Sequence, residues 1–335
     1  MNGYERTVKF LAGEKVDRPP FMPLVIDWVA AQEGLGQEEF VYDPMKRAQS
    51  YINVCDKFEI DCILPDSDFF EQLEDFGAKP ILGDSGYHIE TILDEPDDID
   101  DLPVPTFAPG TRMGNRVETI KELAKQRGGQ KFIIGTCIGP FTEYCNARGM
   151  EDALCELMDE DECEDALRAI KFFHDNGMKF IKAQMDAGAN GIQIVEPNCS
   201  LISPKMYEEY VLPLHKEMVE YVQSLGGITR LHICGDTNKL MPYSLATGTN
   251  VIDADVQVDM ALAYSRLADN QYICGNLSPA EDILQGAPED FAAKVRKIYE
   301  DTHNRTIISG GCDIPPATTA ENMIAFQKAV EALGE

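Results

Sequence analysis

The segment LHICGDT, residues 231–237, carries the residue types and spacing best suited to chemistry. Side chains alternate along a strand, so His232 and Cys234 project to the same side. An imidazole and a thiol together at a strand end are two ready zinc ligands. Cys312 lies 78 positions beyond Cys234, in TIISGGCDIPP, after a strand-like run and two glycines and again at a predicted strand end. Three protein ligands with one open position is the pattern of a catalytic zinc, whereas structural zinc sites close with four. His-x-Cys alone arises readily from packing, and a matching strand end for Cys312 brings the metal and packing readings level. Spacing alone does not choose between them.

Other polar residues gather at the same kind of position. Glu196 closes the run GIQIVE before Pro197, as a fourth ligand, a substrate-orienting carboxylate or a plain loop cap. Asp236 follows His-x-Cys-Gly and serves either to support the site or to start the next helix. Asp253 and Asp255 alternate along NVIDADV, and Asn276 ends YICGN; these read as pocket residues, with Asp253 and Asn276 the candidates for contact with a cofactor. His88, His174, His215 and His303 fall in helical or surface stretches and read as packing or surface residues. Cys199 and Cys274 read as pocket wall or packing, and Cys55, Cys62, Cys137, Cys155 and Cys163 as small buried apolar groups.

The elements that must position these residues follow a regular rhythm. Eight short β-branched or aromatic runs begin at Pro20, Phe58, Lys131, Gly191, Ile228, Asn250, Gln271 and Arg305, and amphipathic stretches separate them. Helix starts are marked by Asp43-Pro44, Ser203-Pro204 and Ser278-Pro279, each a capping side chain before proline at the first helical position. Strand–helix alternation predicts parallel strands with helices outside. The fold class expected is α/β: a single (β/α)8 TIM barrel over residues 1–335, with an N-terminal extension and loop insertions. Functional residues of that architecture lie at the C-terminal ends of its strands. A doubly wound open sheet is the competitor, but no G-x-G-x-x-G follows an early strand. The acidic, then proline-rich stretch from Asp94 to Arg112 reads as a surface loop.

Composition narrows the partners. The chain has 335 residues, 58 acidic and 29 basic side chains and a formal charge of −29, which excludes a phosphate-backbone ligand. No apolar run is long enough to span a membrane, and the charged start MNGYERTVKF lacks the apolar core of a signal peptide. Ten cysteines without a C-x-x-C pair fit a cytoplasmic protein with reduced thiols. Composition does not fix an oligomeric state.

The chain resembles the uroporphyrinogen decarboxylase superfamily, and within it the cobamide-dependent methyltransferase branch. The resemblance is carried by ERTVKFLAGEKVDRPPFMP from Glu5, EPNCSLISPKMYEEYVLPLHKEM from Glu196, LHICGDT from Leu231, YICGNLSPAEDILQGAPEDF from Tyr272 and SGGCDIPPATTAENM from Ser309. It implies a TIM barrel, a zinc held by His232, Cys234 and Cys312, and a corrinoid carried on a partner protein. It also implies methyl transfer to or from a small molecule: a thiol such as coenzyme M, a tetrahydrofolate or a methylated donor. The alternative within the superfamily is decarboxylation of a tetrapyrrole. The decarboxylase grips its carboxylates with an arginine-rich N-terminal motif, but PFMPLVIDWVAAQEG from Pro20 holds no arginine or lysine. An acidic protein without those cations is poorly suited to a polycarboxylate.

Overall fold

The computed structural model describes residues 1–83, 86–159 and 162–334. Its strands are β1 (Cys62–Ile63), β2 (Pro80–Gly83), β3 (Gly86–Ile89), β4 (Phe132–Ile138), β5 (Gly191–Val195), β6 (Ile228–His232), β7 (Val251–Ala254), β8 (Tyr272–Leu277) and β9 (Thr306–Gly310). β2 and β3 form a separate antiparallel pair, and the other seven make one sheet in the order β1-β4-β5-β6-β7-β8-β9. Every neighbour in that sheet is parallel. Helices between the strands include Pro44–Lys57, Arg112–Arg127, Cys163–Asp186 and Phe291–Asp301.

Alternation divides the strand residues between two apolar layers. Ile133, Ile252, Ile273 and Ile308 enter the large core beneath the helices. Their neighbours Ile134, Val251, Tyr272, Cys274 and Ile307 join Phe10, Met22, Leu24 and Phe132 in a second cluster on the opposite face. Parallel strands require both faces covered, and near-continuous apolar runs supply this. The same alternation places Arg230, His232, Asp253, Asn276 and Ser309 on the second face, so that face turns polar toward the strands' C-terminal ends.

The N-terminal segment is fixed by one buried charge cluster. Helix Gly3–Leu11 begins with a capping box between Asn2 and Glu5. From it Arg6 reaches Asp61, which is 2% exposed and also accepts from Arg18 (2.6 Å) and the Phe21 amide (2.8 Å). The expected helix caps form as well: Asp43 accepts from Met45 and Lys46, Ser203 from Met206, and Ser278 from Glu281. The stretch after Asp94 runs along the surface apart from a 3₁₀ turn, Pro96–Asp101. No helix of the described residues is long and apolar enough to cross a membrane.

Two expectations need correction. Seven parallel strands form rather than eight, because the run from Pro20 is not a regular strand. Residues 20–22 make one parallel bridge, Phe21 to Ile308, with the Met22 amide donating to Ile308 and the Ile308 amide to Pro20. On the other side the Asp61 amide donates to Phe21. Pro19, Pro20 and Pro23 carry no amide hydrogen, so a longer ladder is unavailable. Cys155 is exposed rather than buried, although no cysteine forms a disulfide. We expect Asp61→Ala to cost about 3–5 kcal/mol in urea unfolding, because it leaves Arg6 and Arg18 buried without their shared carboxylate. A loss below about 1 kcal/mol would contradict that role.

Candidate metal centre

The register of β6 on β7 pairs Arg230 with Val251 and Leu231 with Ile252, which brings Asp253 alongside His232. Asp253 is 4% exposed, with one carboxylate oxygen 2.7 Å from Arg230 Nε and the other 2.8 Å from His232 Nδ1. The imidazole is thereby fixed in rotation, and its Nε2 lies 3.9 Å from Cys312 Sγ. The ligand atoms of His232, Cys234 and Cys312 all lie within 4.8 Å of one another. Among the described residues no other histidine, cysteine or carboxylate joins a cluster of this kind.

Glycines let the two thiols approach. Past His232 the chain turns at Gly235, whose φ of +87° is costly for any residue with a side chain. The Gly235 amide donates to Asp255 at 2.6 Å, and Asp255 also accepts from its neighbour Val256 at 2.7 Å. Before Cys312, Gly311 packs against that same residue: a Cβ there would lie 2.8 Å from both Asp255 Oδ1 and the Val256 nitrogen. Asp255 is thus the joint between the turn carrying Cys234 and the turn carrying Cys312.

The electrostatics follow from these contacts. Burial opposes a charge on His232, but its hydrogen bonds to Asp253 and Cys312 outweigh that and raise it to about 10. Burial disfavours the Asp253 carboxylate too, yet Arg230 and then His232 hold it below the usual range. The two thiols are shifted in opposite directions. Contact with Cys312 lowers Cys234, and the Cys312 thiol, next to the sulfur that ionises first and partly buried, is pushed up to about 12. One nitrogen and two sulfurs suit a borderline-soft ion and not magnesium or calcium. Zinc bonds of about 2.0 Å to nitrogen and 2.3 Å to sulfur would space tetrahedral ligands by roughly 3.5–3.8 Å, so the 3.9 Å separation fits once the sulfurs draw in by a few tenths of an ångström.

The remaining candidates sit around this group without joining it. Glu196 is fully buried; it accepts from the Thr142 amide and pairs at 2.9 Å with His215, whose other ring nitrogen meets the Tyr207 hydroxyl, also at 2.9 Å. The helix bearing both partners winds wider over Tyr207–Val211, just before Pro213, which cannot donate an amide hydrogen bond. Asp236 is exposed and accepts from the backbone and side chain of Asn238. Asn276 donates to the carbonyls of Asp255 and Val258, bracing the turn after β7. His303 stacks on Tyr264 at the surface, and His174 contacts Asp175 and Glu217.

The uroporphyrinogen decarboxylase (URO-D) pattern matches residues 2–333. The chain belongs to the URO-D family. This URO-D chain is 35% identical over 223 residues to the methylcobamide:CoM methyltransferase MtbA of Methanosarcina acetivorans, a match covering 66% of this chain and 63% of that protein. It is 31% identical over 269 residues to MtbA of Methanosarcina mazei, covering 79% and 76%. In architecture it superposes on a solved methyltransferase from Methanosarcina mazei with a TM-score of 0.87, at 20% identity and 99% coverage of both chains. That likeness shows a shared fold.

Sequence reasoning overlooked Arg230, though the alternation that paired His232 with Cys234 extends back to it. In the metal-free protein the His232 imidazolium should persist at neutral pH and titrate near 10 by nitrogen NMR, above the value of about 6.5 for an unfolded histidine. Its contribution to stability is therefore complete below about pH 6.5 and is lost as pH rises through about 10. Asp253→Asn should bring the titration down by more than about one unit; an unchanged titration would remove Asp253 as the cause.

Proposed function

We propose that this chain, a single URO-D domain over residues 1–335, is a zinc-dependent methyltransferase of the cytoplasm. It would move a methyl group between a corrinoid on a separate protein and a small donor or acceptor. One observation carries the reading: His232, Cys234 and Cys312, from two distant strand ends, place one nitrogen and two sulfurs within 4.8 Å. The MtbA relatives, whose names specify methylcobamide and CoM, favour a corrinoid partner and a thiol among the possible substrates. We read residues 20–22, bonded on both sides, as the eighth member of a (β/α)8 barrel.

His232, Cys234 and Cys312 would hold the ion. Zinc in this ligand set supplies a Lewis acid with one exchangeable position, able to keep a substrate thiol ionised or to polarise a leaving heteroatom. The chain's own groups prepare that position. Asp253 Oδ2 keeps the Nδ1 proton of His232, so that Nε2 faces the sulfurs, and Arg230 keeps Asp253 ionised. Asp255 fixes the Cys234 turn through Gly235. Glu196 supports the neighbouring loop through Thr142 and His215, and we assign it a positioning role, as we do Asp236 in the turn that follows Cys234. Asn276 braces the rim of the site. Decarboxylation of a tetrapyrrole is disfavoured because helix Ile26–Glu33, within the arginine-free stretch, lines the cavity beside Cys312.

Zinc analysis of the purified chain tests the proposal. Wild type should carry about one zinc, and His232→Ala or Cys312→Ala should lose most of it together with demethylation of methylcobalamin by thiols. Full zinc retention in Cys312→Ala would defeat the assignment. Asp253→Asn should weaken zinc affinity by about 10–100-fold while leaving the three ligands in place. Because binding displaces protons from His232 and the thiols, affinity should fall as pH is lowered from 8 to 6 in a competition titration. A pH-independent affinity would contradict protonated ligands in the metal-free chain.

A further inference from the structure

A cavity of about 520 Å³ lies between helix Ile26–Glu33 and the loop that carries Phe69. Its wall includes Asp313, the residue directly after Cys312, so cavity and candidate centre adjoin. The lining is mainly apolar, with Phe40, Phe69 and Phe70 supplying aromatic surface. Phe69 stays 38% exposed on a chain whose other aromatic rings are mostly buried.

The ionisable groups on that wall are all acidic. Asp27, Asp68 and Asp313 line the cavity, and no lysine, arginine or histidine does. Asp68 is balanced from behind by Arg112, which is 4% exposed and also grips Glu74 at 2.9 Å. Asp313 accepts from the Ile26 amide at 2.9 Å. Asp27 has no ion-pair partner among the described residues. Partial enclosure by the cavity wall, and then the charge of Asp68, raise its carboxyl above the usual range. An anion entering here meets the unpaired Asp27 carboxylate, whereas a cation gains that carboxylate and aromatic faces together.

We propose that this cavity is the small-substrate site and that it takes a cation with an apolar body, of the methylated-ammonium class, in preference to an anionic thiol. The assignment rests on the methyl-transfer reading for its role in the reaction, and it sets this chain apart from a use of the sulfonate coenzyme M. A carboxylate beside aromatic rings is the arrangement that recognises quaternary ammonium groups. The volume suits a small organic molecule.

Two titrations of the full chain separate this inference from the metal assignment. In the zinc-loaded protein, 2-aminoethanethiol, 2-mercaptoethanol and 2-mercaptoethanesulfonate present the same sulfur with a positive, neutral or negative tail. The aminothiol should bind at least about tenfold more tightly than the sulfonate, and Asp27→Lys should reverse that order. In the metal-free protein, choline should bind at least about tenfold more tightly than its uncharged carbon isostere 3,3-dimethylbutan-1-ol, and the preference should shrink in Asp27→Asn. Equal or tighter binding of the sulfonate, or equal binding of choline and its isostere, overturns the proposal. If thiols fail to bind while the choline preference stands, the metal assignment fails and the cavity assignment survives. If thiols bind without regard to tail charge, the reverse holds. Asp27 is exposed at a helix start, so neither variant disturbs the core.

Discussion

Asp253 is a carboxylate buried inside the sheet, held between one guanidinium and one imidazole. An isolated charge there would be costly, and neither cation would be stable at that depth without it. Arg230 and His232 are two residues apart on β6, so the pleat that directs one inward directs the other as well. Asp253 enters from the adjacent strand in the only register that leaves the apolar residues of β6 and β7 in their layers. The histidine is thus oriented by the same alternation that builds the core. Its other nitrogen points where Cys234 and Cys312 arrive.

Those two cysteines are supported differently. His232 ends a strand, whereas both thiols ride on turns just beyond strand ends. Asp255 joins the turns, accepting from the Gly235 amide and packing against Gly311. The nitrogen is thus fixed by the sheet, and the two sulfurs by short turns that one carboxylate braces. The cavity wall includes Asp313, the residue that follows Cys312 on its turn.

Much of this arrangement was legible in the sequence. The strand–helix rhythm, the caps at Asp43, Ser203 and Ser278, and the shared face of His232 and Cys234 all follow from periodicity and local hydrogen bonding. Those signals act over a few residues. The pairing of Asp253 with His232 depends on strand register, and the pairing of Glu196 with His215 on a widened helical turn, neither of which residue type reveals. The run from Pro20 has strand-like composition, but its prolines remove the donors that a ladder needs. Cys155 has apolar neighbours in sequence and open solvent in space. The cavity walls come from segments nearly 300 residues apart, Asp27 and Asp313, so their shared acidity appears only after folding.

The short bridge at residues 20–22 gives the molecule a line of mechanical weakness. β4 and β5 are joined by five paired residues, whereas β9 meets this segment through a single bridged pair. Thermal breathing concentrates where backbone bonds are fewest. Helix Ile26–Glu33 begins four residues past the bridge and forms one wall of the cavity. The cavity is consequently built beside the most sparsely bonded seam of the sheet, and the histidine on a strand paired along both sides. Ligand-side backbone and imidazole therefore depend on different hydrogen-bond ladders.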